Sequence, residues 1–200
     1  MKKVYISMLA IAAFTLLSQT AIAQRSAKPA QPAPGRAVYG KIDGHTYTNS
    51  VIGIRITIPK EMEVDEQSFV DVALVPTQIP GSVFAGQTLS IKTLFSARAF
   101  PVMFICTATK LTPKLANMTG EQILNDRLFR EPKGPMAKVE TLGKNSFAYV
   151  DGKTRFNENR SYAIVRKGYY LSIVLGYKDK GDLDVLRQYL GAANFDWTGK

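Results

Sequence analysis

His45 is the single histidine of this 200-residue chain and Cys106 its single cysteine. Those two facts remove much chemistry at once. A histidine–carboxylate zinc site normally draws on more than one histidine, and no cysteine cluster stands in for the missing ligands. A Ser–His–Asp hydrolase would have to use His45, yet no G-x-S-x-G elbow is present: Gly81-Ser82-Val83-Phe84 lacks the pattern. The phosphate-cradling loops G-x-x-x-x-G-K-[ST] and G-x-G-x-x-G are missing as well. His45 follows Gly44 in a turn and reads as a surface residue. Cys106 lies in the apolar run 102–108 and reads as a small buried hydrophobe rather than a reactive thiol. One cysteine also allows no intramolecular disulfide. No catalytic residue, cofactor or metal ligand is assigned.

Carboxylates offer two groups. Asp179, Asp182 and Asp184 gather around Gly181, but the calcium-loop spacing and its distal glutamate are absent. Helix capping and first-turn charge account for them better. Glu61, Glu63, Asp65 and Glu66 form the second group, which reads as a solvated turn or helix face. Paired carboxylates could cleave a glycoside, but only a structure shows their separation. Among the cations, Lys153, Arg155, Arg160, Arg166 and Lys167 fall near the last strands, with Phe156 and Tyr162 among them. These five are the candidate contacts to an anionic surface. Interleaved aromatics and cations also make single-strand nucleic-acid platforms, but a sheet core produces the same pattern.

The elements that would position these residues follow from periodicity. Ile52, Ile54, Ile56 and Ile58 alternate with smaller or polar residues, a half-buried strand that Pro59 ends. Residues 88–97 and 101–111 read as strands, with Leu89, Ile91, Thr93 and Phe95 sharing one face. Thr119 and Gln122 have capping-box spacing, and Ile123, Leu124, Leu128 and Phe129 make a helical stripe, so a helix is predicted over 119–129. Strands follow at 139–142, 146–150 and from 154, then a hairpin of 160–166 and 169–177 about a Lys167-Gly168 turn. Asp182 is read as the cap of a closing helix over 183–192, with Leu183, Leu186 and Leu190 turned to the sheet and Phe195 and Trp197 closing over its end. The fold class expected is α+β: a central antiparallel sheet packed by helices.

Composition and targeting set the compartment. Lys2 and Lys3, the apolar run 4–17 and Ala21-Ile22-Ala23 make residues 1–23 a signal peptide, with cleavage between Ala23 and Gln24. No lipobox cysteine stands at that point, so a periplasmic or secreted protein without a lipid anchor is expected. Residues 24–37 carry three prolines and no apolar periodicity, a flexible tether, and residues 38–200 form a single domain. The net charge is +10, and +8 once Lys2 and Lys3 are removed. Outside the cytoplasmic membrane such an excess favours anionic lipid heads or envelope polymers.

Two stretches carry a family resemblance. Tyr47-Thr48-Asn49-Ser50-Val51-Ile52-Gly53-Ile54-Arg55-Ile56-Thr57-Ile58-Pro59 is similar to the opening of the fold group of the photosystem extrinsic protein PsbP and the Ran-binding protein Mog1. Lys167-Gly168-Tyr169-Tyr170-Leu171-Ser172-Ile173-Val174, then a helix and Phe195, resembles that group's closing hairpin and C-terminal helix. A tryptophan common soon after the proline is replaced here by Lys60-Glu61-Met62. The resemblance implies an α/β/α sandwich and no activity, since such proteins mostly serve as binding or assembly accessories. The expected function is therefore a non-enzymatic accessory or binding protein of the bacterial cell envelope. The alternatives are an extracytoplasmic carboxylate-based hydrolase, or a basic domain docking on anionic envelope polymers or lipids. The expected partner is an envelope protein or anionic polymer. No nucleic acid partner and no integral membrane segment after signal removal are expected, and the protein is expected to be a monomer.

Overall fold

Nine residues, Tyr169–Tyr177, form the strand at the middle of the sheet. The computed structural model describes residues 36–67, 69, 71–74, 79–130, 134–154 and 157–199. The signal peptide and nearly all of the tether lie outside the described residues; Arg36–Tyr39 forms a short 3-10 turn. A small sheet follows from β1 (Lys41–Asp43), β2 (Thr46–Asn49) and β3 (Ile54–Thr57), in that order. The remaining strands are β4 (Glu63–Val64), β5 (Asp71–Leu74), β6 (Leu89–Ala99), β7 (Val102–Lys110), β8 (Lys138–Leu142), β9 (Asn145–Lys153), β10 (Glu158–Arg166) and β11 (Tyr169–Tyr177). They make one eight-stranded antiparallel sheet in the order β4-β6-β7-β11-β10-β9-β8, with β5 also paired to β6. Two α-helices are described, α1 (Gly120–Leu124) and α2 (Lys180–Ala192).

This corrects the expected helix-packed α+β sandwich. Strand makes up 46% of the described residues and helix 14%, and the strand expected at 52–58 is not in the sheet of β11. It belongs to the small sheet, which faces the large one. Tyr47, Ile54 and Ile56 pack with Phe95, Phe104, Leu171 and Ile173 in one core cluster, and the Tyr47 and Phe95 rings stand 5.3 Å apart. The physical reason is that both sheets carry one greasy face, and either can cover the other as well as a helix can. On the opposite face of the large sheet, α1 and the loops beside it bury Phe84, Leu115, Ile123 and Leu124 against Ala148, Ala163 and Tyr170.

The helix predicted at 119–129 is shortened to Gly120–Leu124. Its capping box is as expected: the Thr119 side chain accepts from the Gln122 N–H and the Gln122 side chain from that of Thr119. Beyond Leu124, side chains compete for the backbone. Asn125 Oδ1 accepts the Ala137 N–H at 2.8 Å, and Asp126 accepts from Leu128 N, Val83 N and the Ser82 hydroxyl. At the other end of the chain, α2 begins three residues before the predicted start. Asp179 is its N-cap, accepting from Asp182 N, while Asp182 accepts from Lys178 N. Leu183, Leu186 and Leu190 are buried as expected, and α2 packs on β11, β3 and β8. A register shift in β6 between Thr93 and Phe95 also divides the face expected to be continuous. Leu89 packs on the α1 side, whereas Leu94, Phe95 and Ala97 pack toward the small sheet.

Two hairpins fix the end of the large sheet that matters below. The β10–β11 turn places both Lys167 (φ 46) and Gly168 (φ 75) in the left-handed region, the geometry a two-residue hairpin needs. The β8–β9 turn uses Gly143 (φ 60), and a Cβ there would lie 2.0 Å from the Gly191 carbonyl oxygen of α2. After α2 the chain pairs with β3 through Arg55 and Asn194, and Trp197 N donates to Gly53 O at 3.0 Å.

Candidate functional site

His45 sits half-buried in the β1–β2 turn, where its carbonyl accepts the Ile58 N–H and its Nδ1 has no hydrogen-bond partner. Cys106 is fully buried in β7, and that burial pushes its thiol well above the ordinary range. The acidic groups behave as structural charges. Asp179 and Asp182 cap α2, and Asp184 pairs with Arg187 at 3.2 Å. Asp65 pairs with Arg98 at 2.9 Å and accepts from Ser96, while Glu61, Glu63 and Glu66 face solvent. Among the described residues, no three His, Cys, Asp or Glu side chains gather as a metal site.

Two polar networks were not anticipated. The first centres on Glu140 of β8. It accepts from Arg160 Nη1 at 3.2 Å, from the Tyr162 hydroxyl and from Arg187 of α2. Arg160 in turn pairs with Asp151 at 2.7 Å and lies 4.2 Å over the Tyr149 ring. Burial pushes the Tyr162 phenol upward and the Glu140 carboxylate beside it adds to the shift, although Arg160 opposes it. Glu140 and Asp151 thus converge on one guanidinium that lies between them.

The second network centres on Asp71 of β5. It accepts from Lys92, from the Tyr39 hydroxyl and, at 2.6 Å, from Ser90. Burial acts to raise its pKa, but the hydrogen bonds from Lys92, Ser90 and Tyr39 outweigh that and hold it at about 2. Tyr39 moves the other way, to about 12, through burial and then its bond to Asp71. The network ties the 3-10 turn to the β5–β6 edge.

The five candidate cations do not form one patch. Arg155 lies outside the described residues. Lys153 pairs with Glu158 at 3.6 Å across the β9–β10 hairpin, and Arg160 is held in the Glu140 network. Arg166 and Lys167 stand at the other end of β10; from Glu158 to Arg166 the strand runs about 26 Å at roughly 3.3 Å per residue. There they meet Lys110 at the end of β7, Lys114 on the turn after it and Lys144 in the β8–β9 turn. Sequence reasoning missed these three because they come from separate turns. The signal that could have found them is positional: each stands at or just beyond a strand end, and antiparallel pairing brings those ends together. Lys110, Lys114, Lys144 and Lys167 are exposed and Arg166 is half-buried. None of the five is in an ion pair among the described residues.

Among the described residues no helix is long and apolar enough to cross a membrane. In comparisons with known proteins, no family model matches the chain, no curated protein matches it and no solved structure matches it.

Proposed function

We propose that this is an exported, non-enzymatic accessory or binding protein of the bacterial cell envelope, released by cleavage between Ala23 and Gln24. One observation carries the reading: the carboxylates of Glu140 and Asp71 are taken up by internal donors, while cations at one sheet end are in no ion pair among the described residues. Glu140 has three donors and Asp71 has three, each group closed within the protein. A hydrolase needs a carboxyl free to meet substrate or water. A binding protein needs an uncompensated surface, which Lys110, Lys114, Lys144 and Lys167 provide. The likeness of residues 47–59 and 167–174 to the PsbP and Mog1 group supports an accessory role.

The test is sedimentation of the purified protein with isolated envelope fractions across a salt series. Binding that weakens as salt rises, with no soluble product released from the fraction, is expected. Product release that is lost in Glu140→Gln would replace this reading with the hydrolase. Failure to sediment with any fraction would also overturn it.

A further inference from the structure

Register sets two cations, Lys110 and Arg166, in one row across four strands, with the buried Tyr169 and Asn145 as its other members. Tyr169 of β11 is directly opposite Lys110 of β7 on one side and Arg166 of β10 on the other. Directly opposed residues share a sheet face, so Lys110, Tyr169 and Arg166 project to the same side. Arg166 Nη2 reaches Asn145 Oδ1 of β9 at 3.4 Å, which extends the row by another strand. Three inter-strand steps of about 4.8 Å make it about 14 Å long.

The turns at this end add three more cations. Lys144 directly precedes Asn145, whose side chain is buried and donates to Ala193 O at 3.5 Å. Lys167 Nζ donates to Ser50 O at 3.3 Å and overlies Gly53. Lys114 follows Leu111, whose N–H is fixed by Gly168 O at 2.8 Å. Arg166 is the half-buried member, and its Nη1 donates to Val165 O at 3.0 Å. Asp196 lies on the C-terminal segment running beside Gly53, and it pairs with none of these cations. At the opposite end Arg98, Lys153 and Arg160 each have a carboxylate partner, while Lys178 and Lys180 beyond Tyr177 are in no ion pair among the described residues.

We infer that this end, Lys110, Lys114, Lys144, Arg166 and Lys167, is a docking surface for a linear phosphate-bearing polymer. The inference rests on the proposed binding function and names its ligand class. Cations carried on neighbouring strand ends and turns match charges repeated along a chain, and phosphate oxygens accept from several donors at once. A bilayer fits less well. The most exposed large apolar side chain, Phe100 at 88%, stands at the other end of the sheet.

The experiment measures binding of the purified protein to inorganic polyphosphate across a salt series. Polyglutamate and vesicles of mixed phosphatidylglycerol and phosphatidylcholine are run alongside. The test variant combines Lys110→Gln, Lys114→Gln, Lys144→Gln and Lys167→Gln. A reference variant removes the same charge elsewhere, with Lys41→Gln, Lys60→Gln, Lys138→Gln and Lys178→Gln, all exposed positions. The row variant should bind polyphosphate at least about tenfold more weakly. At about 0.7 per contact its log–log salt slope should be shallower by about 3. The reference variant should stay within about twofold of the native protein. Equal losses in both variants, or none in the row variant, would overturn the surface. Tighter binding to polyglutamate or vesicles than to polyphosphate would overturn the ligand class. If envelope sedimentation persists in the row variant, the docking surface is wrong and the binding function stands.

Discussion

Glu140 shows what a single residue can hide in a linear reading. Arg160 stands out in the sequence as a surface cation, yet in the fold it lies between Asp151 and Glu140. Asp151 faces it through cross-strand register, and Glu140 reaches it from β8, twenty positions away in the chain. No local spacing announces such a partner. Cys106 was legible because an apolar run implies burial by itself. Asp71 yields a testable consequence at this scale. Its folded pKa is depressed to about 2 from an unfolded value near 3.9, so its stabilisation is fully present above pH 4. That stabilisation is lost as the pH falls from about 4 through about 2. The side chain is 38% exposed, so solvent screening reduces the effect to about 1 kcal/mol at pH 7. Urea unfolding of Asp71→Asn should show that deficit at pH 7 and almost none near pH 2. A deficit independent of pH would contradict the account.

Strands were the most legible elements and helices the least. β8, β10 and β11 fall close to their predicted spans because alternating β-branched and aromatic residues have one reading on a pleated sheet. The predicted central helix failed where Asn125 and Asp126 turned their side chains on the backbone, a competition that periodicity does not register. The shift in β6 is equally silent in sequence, and it reverses which face its later residues present. Close approaches between elements are a further blind spot, and Gly143 is the sharpest of them. Gly143→Ala combines a left-handed backbone with a Cβ only 2.0 Å from the Gly191 carbonyl, and should cost about 3 kcal/mol. Gly44→Ala has the same backbone demand (φ +55) with nothing within 4 Å, and should cost about 1 kcal/mol. Denaturation midpoints of the two variants test the difference. Equal losses would mean that the β8–β9 turn does not bear on α2 as described.

At the scale of the whole molecule, both strand content and a greasy face on each element could be read, but not which greasy face meets which. The alternating isoleucines at 52–58 fit a strand in the main sheet or one facing it, and only the turns and the C-terminal segment decide. Charge has the same property. A net +10 is visible in composition, but the gathering of Lys110, Lys144, Arg166 and Lys167 arises from where antiparallel strands stop. The central claim is that this end of the sheet is where the protein meets its ligand. The most direct measurement is a backbone amide NMR titration with inorganic polyphosphate. Shifts should concentrate at Lys110 and Leu111, Gly143 to Asn145, and Arg166 to Gly168, and fade as salt is raised. Shifts centred on Phe100 and Pro101 or on Glu140, or no shifts at all, would contradict it.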